Sequence, residues 1–116
     1  MKKSKSIIAL NRKAKFNYKI IDQIEVGIVL TGAEVKSIRK GGVSLDNSYA
    51  VDKKGEFWIN NLYVDLKNYE NNTDSSNNIR SKKLLLNKTE IHKINMKVKQ
   101  NGLTMIPLDL HFNNKG

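Results

Sequence analysis

The apolar residues of this chain fall into short runs, each closed by a turn signal, and that punctuation limits the fold more than any other feature. Runs of this length rich in β-branched and aromatic residues read as strands, and only two stretches carry the three-and-four spacing of a helix. The first strand candidate is FNYKIIDQIEVGIVL (16–30), a long one whose pattern allows a break near Gln23. After the Thr31-Gly32 turn, AEVKSIRKGG sets Val35 and Ile38 three apart before two glycines, which predicts a short amphipathic helix. NSYAV, DKKG and EFWINNLYV then read as a hairpin, with Trp58 the largest core candidate. NKTEIHKINMKVKQNG is a helix with Asn87 at its cap, Glu90 three residues on, a buried stripe of Ile91, Ile94 and Val98, and Gly102 at its stop. LTMIPLDLHF (103–112) alternates Leu108, Leu110 and Phe112 against Asp109 and His111 and reads as a final strand, with His111 facing outward. The expected class is mainly β with peripheral helices (α+β): a small closed or partly open antiparallel β-barrel, for which the oligonucleotide-binding type is the leading choice.

With 116 residues the chain is a single domain. Residues 1–10 read as a flexible basic arm, 11–116 as the barrel domain, and the polar stretch 67–78 as a mobile loop within it. A formal net charge of +10 points to a polyanionic partner. The excess is confined to two blocks. Residues 1–21 hold seven bases and no acid, and residues 79–99 hold seven bases against Glu90, while 22–78 carry six bases against nine acids. If the fold brings the blocks together, they form one basic face.

Several classes are excluded. With no cysteine, the soft metal ligands are limited to His92 and His111, so no metal and no cofactor is expected. Ser37, Ser44 and Ser48 have no triad arrangement around them, and no glycine-rich phosphate loop follows a strand, so the chain is not read as an enzyme. No apolar run approaches the roughly 20 residues that cross a bilayer, so no membrane partner and a cytoplasmic location are expected. Two other readings of the charge stay open: a sequence-indifferent or ribosome-associated RNA-binding module, and attachment to an anionic membrane surface through residues 1–15.

Five blocks in order are more specific: NRKAKFNYKI (11–20), EVGIVLTGAEVKSIRKG (25–41), DNSYAV (46–51), RSKKLLLNKTEI (80–91) and GLTMIPLDLHF (102–112). From about Asn11 to Gly116 the chain closely resembles the SsrA-binding protein family, also called small protein B or SmpB. The resemblance implies a barrel of the oligonucleotide-binding type with flanking helices. It implies binding to the tRNA-like end of transfer-messenger RNA and presentation of that RNA to stalled ribosomes (trans-translation), with the small-subunit decoding region and the large subunit as contacts; the chain itself is expected to be a monomer. The family continues past the matched region into a further strand and a long basic tail, so the barrel here is expected to lack its last strand and to expose an edge beside LTMIPLDLHF. Asn78 stands where the family usually carries proline, which predicts a looser loop, and Ala33 stands where it often has Thr or a bulkier residue.

Carried over by position, the family's RNA contacts fall on Glu25, Gly27, Leu85 and Asn87, with Arg80, Lys82 and Lys83 beside them as phosphate partners and Lys36 and Arg39 on the polar face of the short helix. The chemistry agrees: carboxylate and amide groups can bond base edges and ribose hydroxyls in a folded RNA, and an apolar side chain can pack under an unstacked base. A trio such as Leu84, Leu85 and Leu86 cannot all be buried on one helix face, so at least one is exposed or at an interface. An acid facing a polyanion needs a specific hydrogen bond to hold its place, which is the condition set on Glu25.

Overall fold

The computed structural model describes residues 6–69 and 75–112, apart from the side chains of Ser6, Lys15, Ser75 and Ser76. Its centre is a four-stranded antiparallel sheet ordered β2-β7-β5-β4, formed by Gly27–Ile28, Lys82–Leu85, Glu56–Asn60 and Tyr49–Lys53. The β4–β5 hairpin is closed as its sequence predicts. Lys54 and Gly55 both take positive φ (55° and 82°), the geometry of a two-residue turn whose twist matches its strands. Asp52 accepts the Gly55 amide across it at 3.2 Å.

Period-two alternation sets the two faces of this sheet. On β5, Phe57 and Ile59 point inward and are buried, and on β7 Lys82 and Leu84 do the same. The opposite face carries Trp58, paired with Lys83, so Trp58 is only half-buried and lies outside the core expected to hold it. The core is made instead by Ile38, Leu45, Phe57, Ile59, Leu62 and Val64 with Leu66 and Leu84.

Two smaller antiparallel pairs complete the sheet structure. β3 (Val43–Ser44) pairs with β6 (Tyr63–Val64), and β1 (Ser6–Leu10) pairs with β8 (Asp109–Phe112) through a bulge between Ile7 and Ala9. A single bridge between Ala50 and Met105 links the region before β8 to the central sheet. The protein is therefore mostly β with flanking helices, and among the described residues its ladders do not close into one continuous barrel.

Several expectations are corrected. The stretch Phe16–Leu30 is not one long strand: α1 (Ala14–Asn17) takes its start, β2 is two residues, and the chain between has no regular structure. Strand propensity records how well a side chain fits a half-buried pleated surface, and here Tyr18, Ile21 and Ile24 are all exposed. Of the expected arm, residues 1–5 lie outside the described residues, while Ser6–Leu10 form β1, whose Ile8 and Ala9 pack against the core. The edge expected open beside the last strand is thus filled on one side. Of the 67–78 loop, Lys67–Tyr69 turn and Ser75–Ile79 form a short 3-10 helix, with 70–74 outside the described residues. Asn78, in the proline position, pins rather than loosens the loop's end, its Oδ1 accepting the Leu66 amide at 3.1 Å.

Both longer helices begin with a capping box. Thr31 and Glu34 exchange side-chain and backbone bonds at the start of α2 (Gly32–Arg39), and Asn87 and Glu90 do so at the start of α3 (Lys88–Asn101), which ends at left-handed Gly102. The α3 stripe is shallower than its spacing predicts: no residue of the helix is fully buried, and Ile91 and Ile94 lie half-buried on the core.

Candidate nucleic-acid interface

β2 is the outer strand of the central sheet, and its short ladder with β7 sets Gly27 opposite Leu85 and Ile28 opposite Leu84. The Val29 amide continues the ladder to the Lys83 carbonyl at 2.9 Å. Leu84 points into the core, so its neighbour Leu85 must point out, and it is 54% exposed. The leucine trio therefore resolves into one buried, one exposed and one half-buried residue, as its sequence requires. Gly27 leaves no side chain beside Leu85: a Cβ there would stand 3.1 Å from Leu85 Cδ1.

Two residues outward along each chain lie Glu25 and Asn87, so the antiparallel register carries all four positions to the same end of one strand pair. Asn87 uses Oδ1 to accept the Glu90 backbone amide at 2.8 Å, and its own backbone N–H donates to Glu90 Oε1 at 3.0 Å. Among the described residues nothing is bonded to its Nδ2, so capping leaves a donor for a ligand. Glu25 is exposed, and its Oε2 lies 2.6 Å from Nε2 of His111.

His111 does not face outward. Its side chain is 12% exposed, and its other nitrogen, Nδ1, lies 2.6 Å from Asp109 Oδ1. The Asp109 hydrogen bond raises the pKa of the imidazole above the ordinary histidine value; burial opposes this, and the Glu25 bond reinforces it.

The expected phosphate partners divide. Lys82 is fully buried, and its Nζ donates to the carbonyls of Leu62 (3.2 Å) and Arg80 (2.9 Å) with Glu34 at 3.7 Å, so it cannot reach an RNA phosphate. Arg80 is committed as well, holding Glu34 through both Nε (2.9 Å) and Nη2 (2.6 Å). Burial pushes the Lys82 pKa down, with the Glu34 charge opposing it. For Glu34 burial acts upward, but the Arg80 bonds, the Thr31 amide and the charges of Lys82 and Arg80 overrule it and hold the carboxyl below its usual range. The cluster is an internal ion network joining α2 to β7. Lys83, on the outer face, is paired with Glu56 at 2.6 Å with both side chains partly exposed, which leaves it free to exchange partners. Lys36 and Arg39 are exposed on α2, and Arg39 stacks its guanidinium 5.2 Å from the centre of the Phe112 ring.

Lys97, of the second basic block, bonds Asp22, the first acid after the end of the first block, at 2.8 Å. Sequence reasoning missed Glu34 and His111 as organising residues. A local signal existed for Glu34, since Thr31 and Glu34 repeat the cap spacing seen at Asn87 and Glu90. For His111, period two places Asp109 on its side of the strand, but the contact with Glu25 spans 86 positions and has no local signature. Among the described residues no group of acids and histidines could hold a metal ion, and no helix is long and apolar enough to cross a membrane.

Comparison with known proteins is consistent with this geometry. The family model described as SmpB protein matches residues 8–116. The SsrA-binding protein of Chlorobaculum tepidum is 48% identical over 107 residues, covering 91% of this chain and 67% of that protein. The SsrA-binding protein of Sinorhizobium fredii is 42% identical over 112 residues, covering 97% and 70% respectively. Among solved structures, a chain described under "tmRNA-SmpB: a journey to the center of the bacterial ribosome" superposes with a TM-score of 0.70 at 41% identity, covering 92% of this chain and 74% of its own. Identity of this order over nearly the whole chain, joined to agreement in three dimensions, makes this protein a member of the SmpB family.

Proposed function

We propose that this chain is a non-enzymatic RNA-binding protein that binds the tRNA-like domain of transfer-messenger RNA and carries it to stalled ribosomes, acting in the cytoplasm. The contact surface is the exposed end of the β2–β7 pair. Glu25 accepts from base or ribose donors, the Asn87 Nδ2 group donates, Leu85 packs under an unstacked base over the space that Gly27 leaves, and Lys83, Lys36 and Arg39 neutralise phosphates. Arg80 and Lys82 are withdrawn from that set and act inside the protein. A barrel of the oligonucleotide-binding type is the arrangement we favour for the whole, with the Ala50–Met105 bridge as the seam between the central sheet and the β1–β8 pair.

The observation that carries this reading is the pairing of Gly27 with Leu85, which gathers four positions from two distant segments at one solvent-facing strand end. The test is a gel shift against transfer-messenger RNA with tRNA as competitor, comparing the parent with an E25A/N87S variant. Serine keeps the helix-capping acceptor while removing the amide donor, so folding is preserved. Affinity is expected to fall by about tenfold or more, the worth of one or two hydrogen bonds to charged or polar RNA groups. A variant that binds as tightly as the parent at equal salt rules the surface out, and tRNA competing as well as the cognate RNA replaces this reading by a generic RNA binder.

A further inference from the structure

The described residues place His111 between two carboxylates, with both ring nitrogens engaged: Nδ1 is 2.6 Å from Asp109 Oδ1 and Nε2 is 2.6 Å from Glu25 Oε2. An ionised carboxylate only accepts hydrogen bonds, and a neutral imidazole has one N–H to give. Two such contacts at once therefore require the imidazolium, which donates to both.

The surroundings agree. Asp109 lies on the same strand, and Glu25 reaches in from the segment before β2. The strand paired with β8, β1, has no titratable side chain over Ser6–Leu10, and Arg39 of α2 meets β8 over the ring of Phe112. The raised pKa of the imidazole follows from the same two bonds. Exposure is graded outward along the bridge: the side chain of His111 is 12% exposed, that of Asp109 23% and that of Glu25 60%. When the proton leaves, one bond must be lost. The bond to Glu25 is the one water replaces most readily, since Asp109 is the nearer in sequence and the less exposed.

We propose that His111 is a positioning residue for RNA recognition: its imidazolium anchors the Glu25 carboxylate at the end of the β2–β7 pair and halves the negative charge that the Asp109–Glu25 pair would otherwise present to the RNA. The inference rests on the reading of Glu25 as an RNA contact and adds a protonation switch to it. While the imidazole is charged, Glu25 keeps one oxygen fixed on His111 and turns the other toward the ligand. Once it is neutral, Glu25 swings free, and two acids face the phosphates with one balancing charge fewer. RNA binding must then weaken as pH rises through the His111 titration, and do so more steeply than the loss of one remote surface charge would make it.

The test is binding of a tRNA-like-domain transcript at constant ionic strength from about pH 5.5 to about pH 9, the range that brackets a histidine titration, for the parent, H111Q and E25A. The parent is expected to lose about tenfold in affinity across that range, the scale of one charge-assisted hydrogen bond. H111Q is expected to bind at the parent's high-pH level with no slope, and E25A to bind weakly with no slope. Imidazole nitrogen NMR on the RNA-free protein supplies a readout that needs neither binding nor the H111Q variant to fold: both ring nitrogens of His111 protonated near neutral pH in the parent, and titration shifted down in E25A. A flat parent profile together with parental affinity in H111Q, while E25A still binds weakly, overturns the switch and leaves Glu25 as a contact. Parental affinity in E25A removes both. A singly protonated His111 ring near neutral pH overturns the switch whatever the binding data show.

Discussion

Gly27 illustrates how little it takes to shape the proposed RNA surface. Its φ is not in the left-handed region, so an alanine suffers no backbone strain there; the constraint is the 3.1 Å approach of a new Cβ to Leu85 Cδ1. Leu85 is half in solvent and free to rotate, so the clash is relieved by moving the side chain that is meant to pack against the RNA. G27A is therefore expected to change thermal stability by less than about 1 kcal/mol and still to reduce affinity for the tRNA-like domain several-fold. L85A is expected to do the same, since truncating an exposed leucine removes little core packing. Melting curves and gel shifts on both variants check this. A G27A protein with unchanged affinity would show that Leu85 is not a contact, and a large loss of stability would show that Gly27 serves packing instead. The exposure of one leucine was legible in the sequence, because three in a row cannot all face inward. Which of them is exposed became known only with the register of β7.

At the scale of elements, α2 is fixed to β7 by charge inside the protein. Glu34 and Lys82 are fully buried, and Arg80 grips Glu34 with two bonds. Removing one member leaves the others charged and uncompensated, so E34Q is expected to cost about 3 kcal/mol or more of stability. The pH dependence has a definite sign. The folded state holds the Glu34 carboxyl below its unfolded pKa, so its contribution is complete above the unfolded value and is lost as pH falls through the folded one. Denaturant unfolding of the parent is therefore expected to weaken on acidification below the usual carboxylate range, and E34Q to lack that part of the loss. An E34Q protein as stable as the parent at neutral pH would show the network to be dispensable. Sequence reasoning found the elements this network joins, because capping residues and turn glycines act locally: α2, α3 and the β4–β5 hairpin all lie where their punctuation places them. It failed where the deciding contact is distant. The basic run before the leucines looks like a phosphate-binding surface, and only Glu34, 46 positions from Arg80, turns its two leading cations inward.

Over the whole molecule, the described parts of the chain meet end to end, since β1 runs antiparallel to β8 and their register sets Ser6 against Phe112 and Leu10 against Asp109. This pairing holds the strand that carries His111 and Asp109, so β1 supports the proposed RNA surface through structure. Charge alone made residues 1–10 look like an arm. The four apolar residues Ile7 to Leu10 were the contrary sign, too short to identify a strand until a partner is known, because two-stranded pairs gain little from their own ladder and depend on what they pack against. Ile8 and Ala9 supply that packing against the core, while Ile7 and Leu10 remain exposed. I8D places a charge where Ile8 is packed, and is expected to cost about 2 kcal/mol, in the range for a partly buried apolar residue made polar. The consequence beyond stability is the edge it frees: β8 would lose its partner along four residues, and unpaired strands recruit other chains. Light scattering of I8D should show association that grows with protein concentration at temperatures where the parent stays dispersed, together with a lower melting temperature and weaker RNA binding. An I8D protein that melts and scatters like the parent would mean that β1 is an ornament on the sheet, and that the strand carrying His111 is held by its other contacts alone.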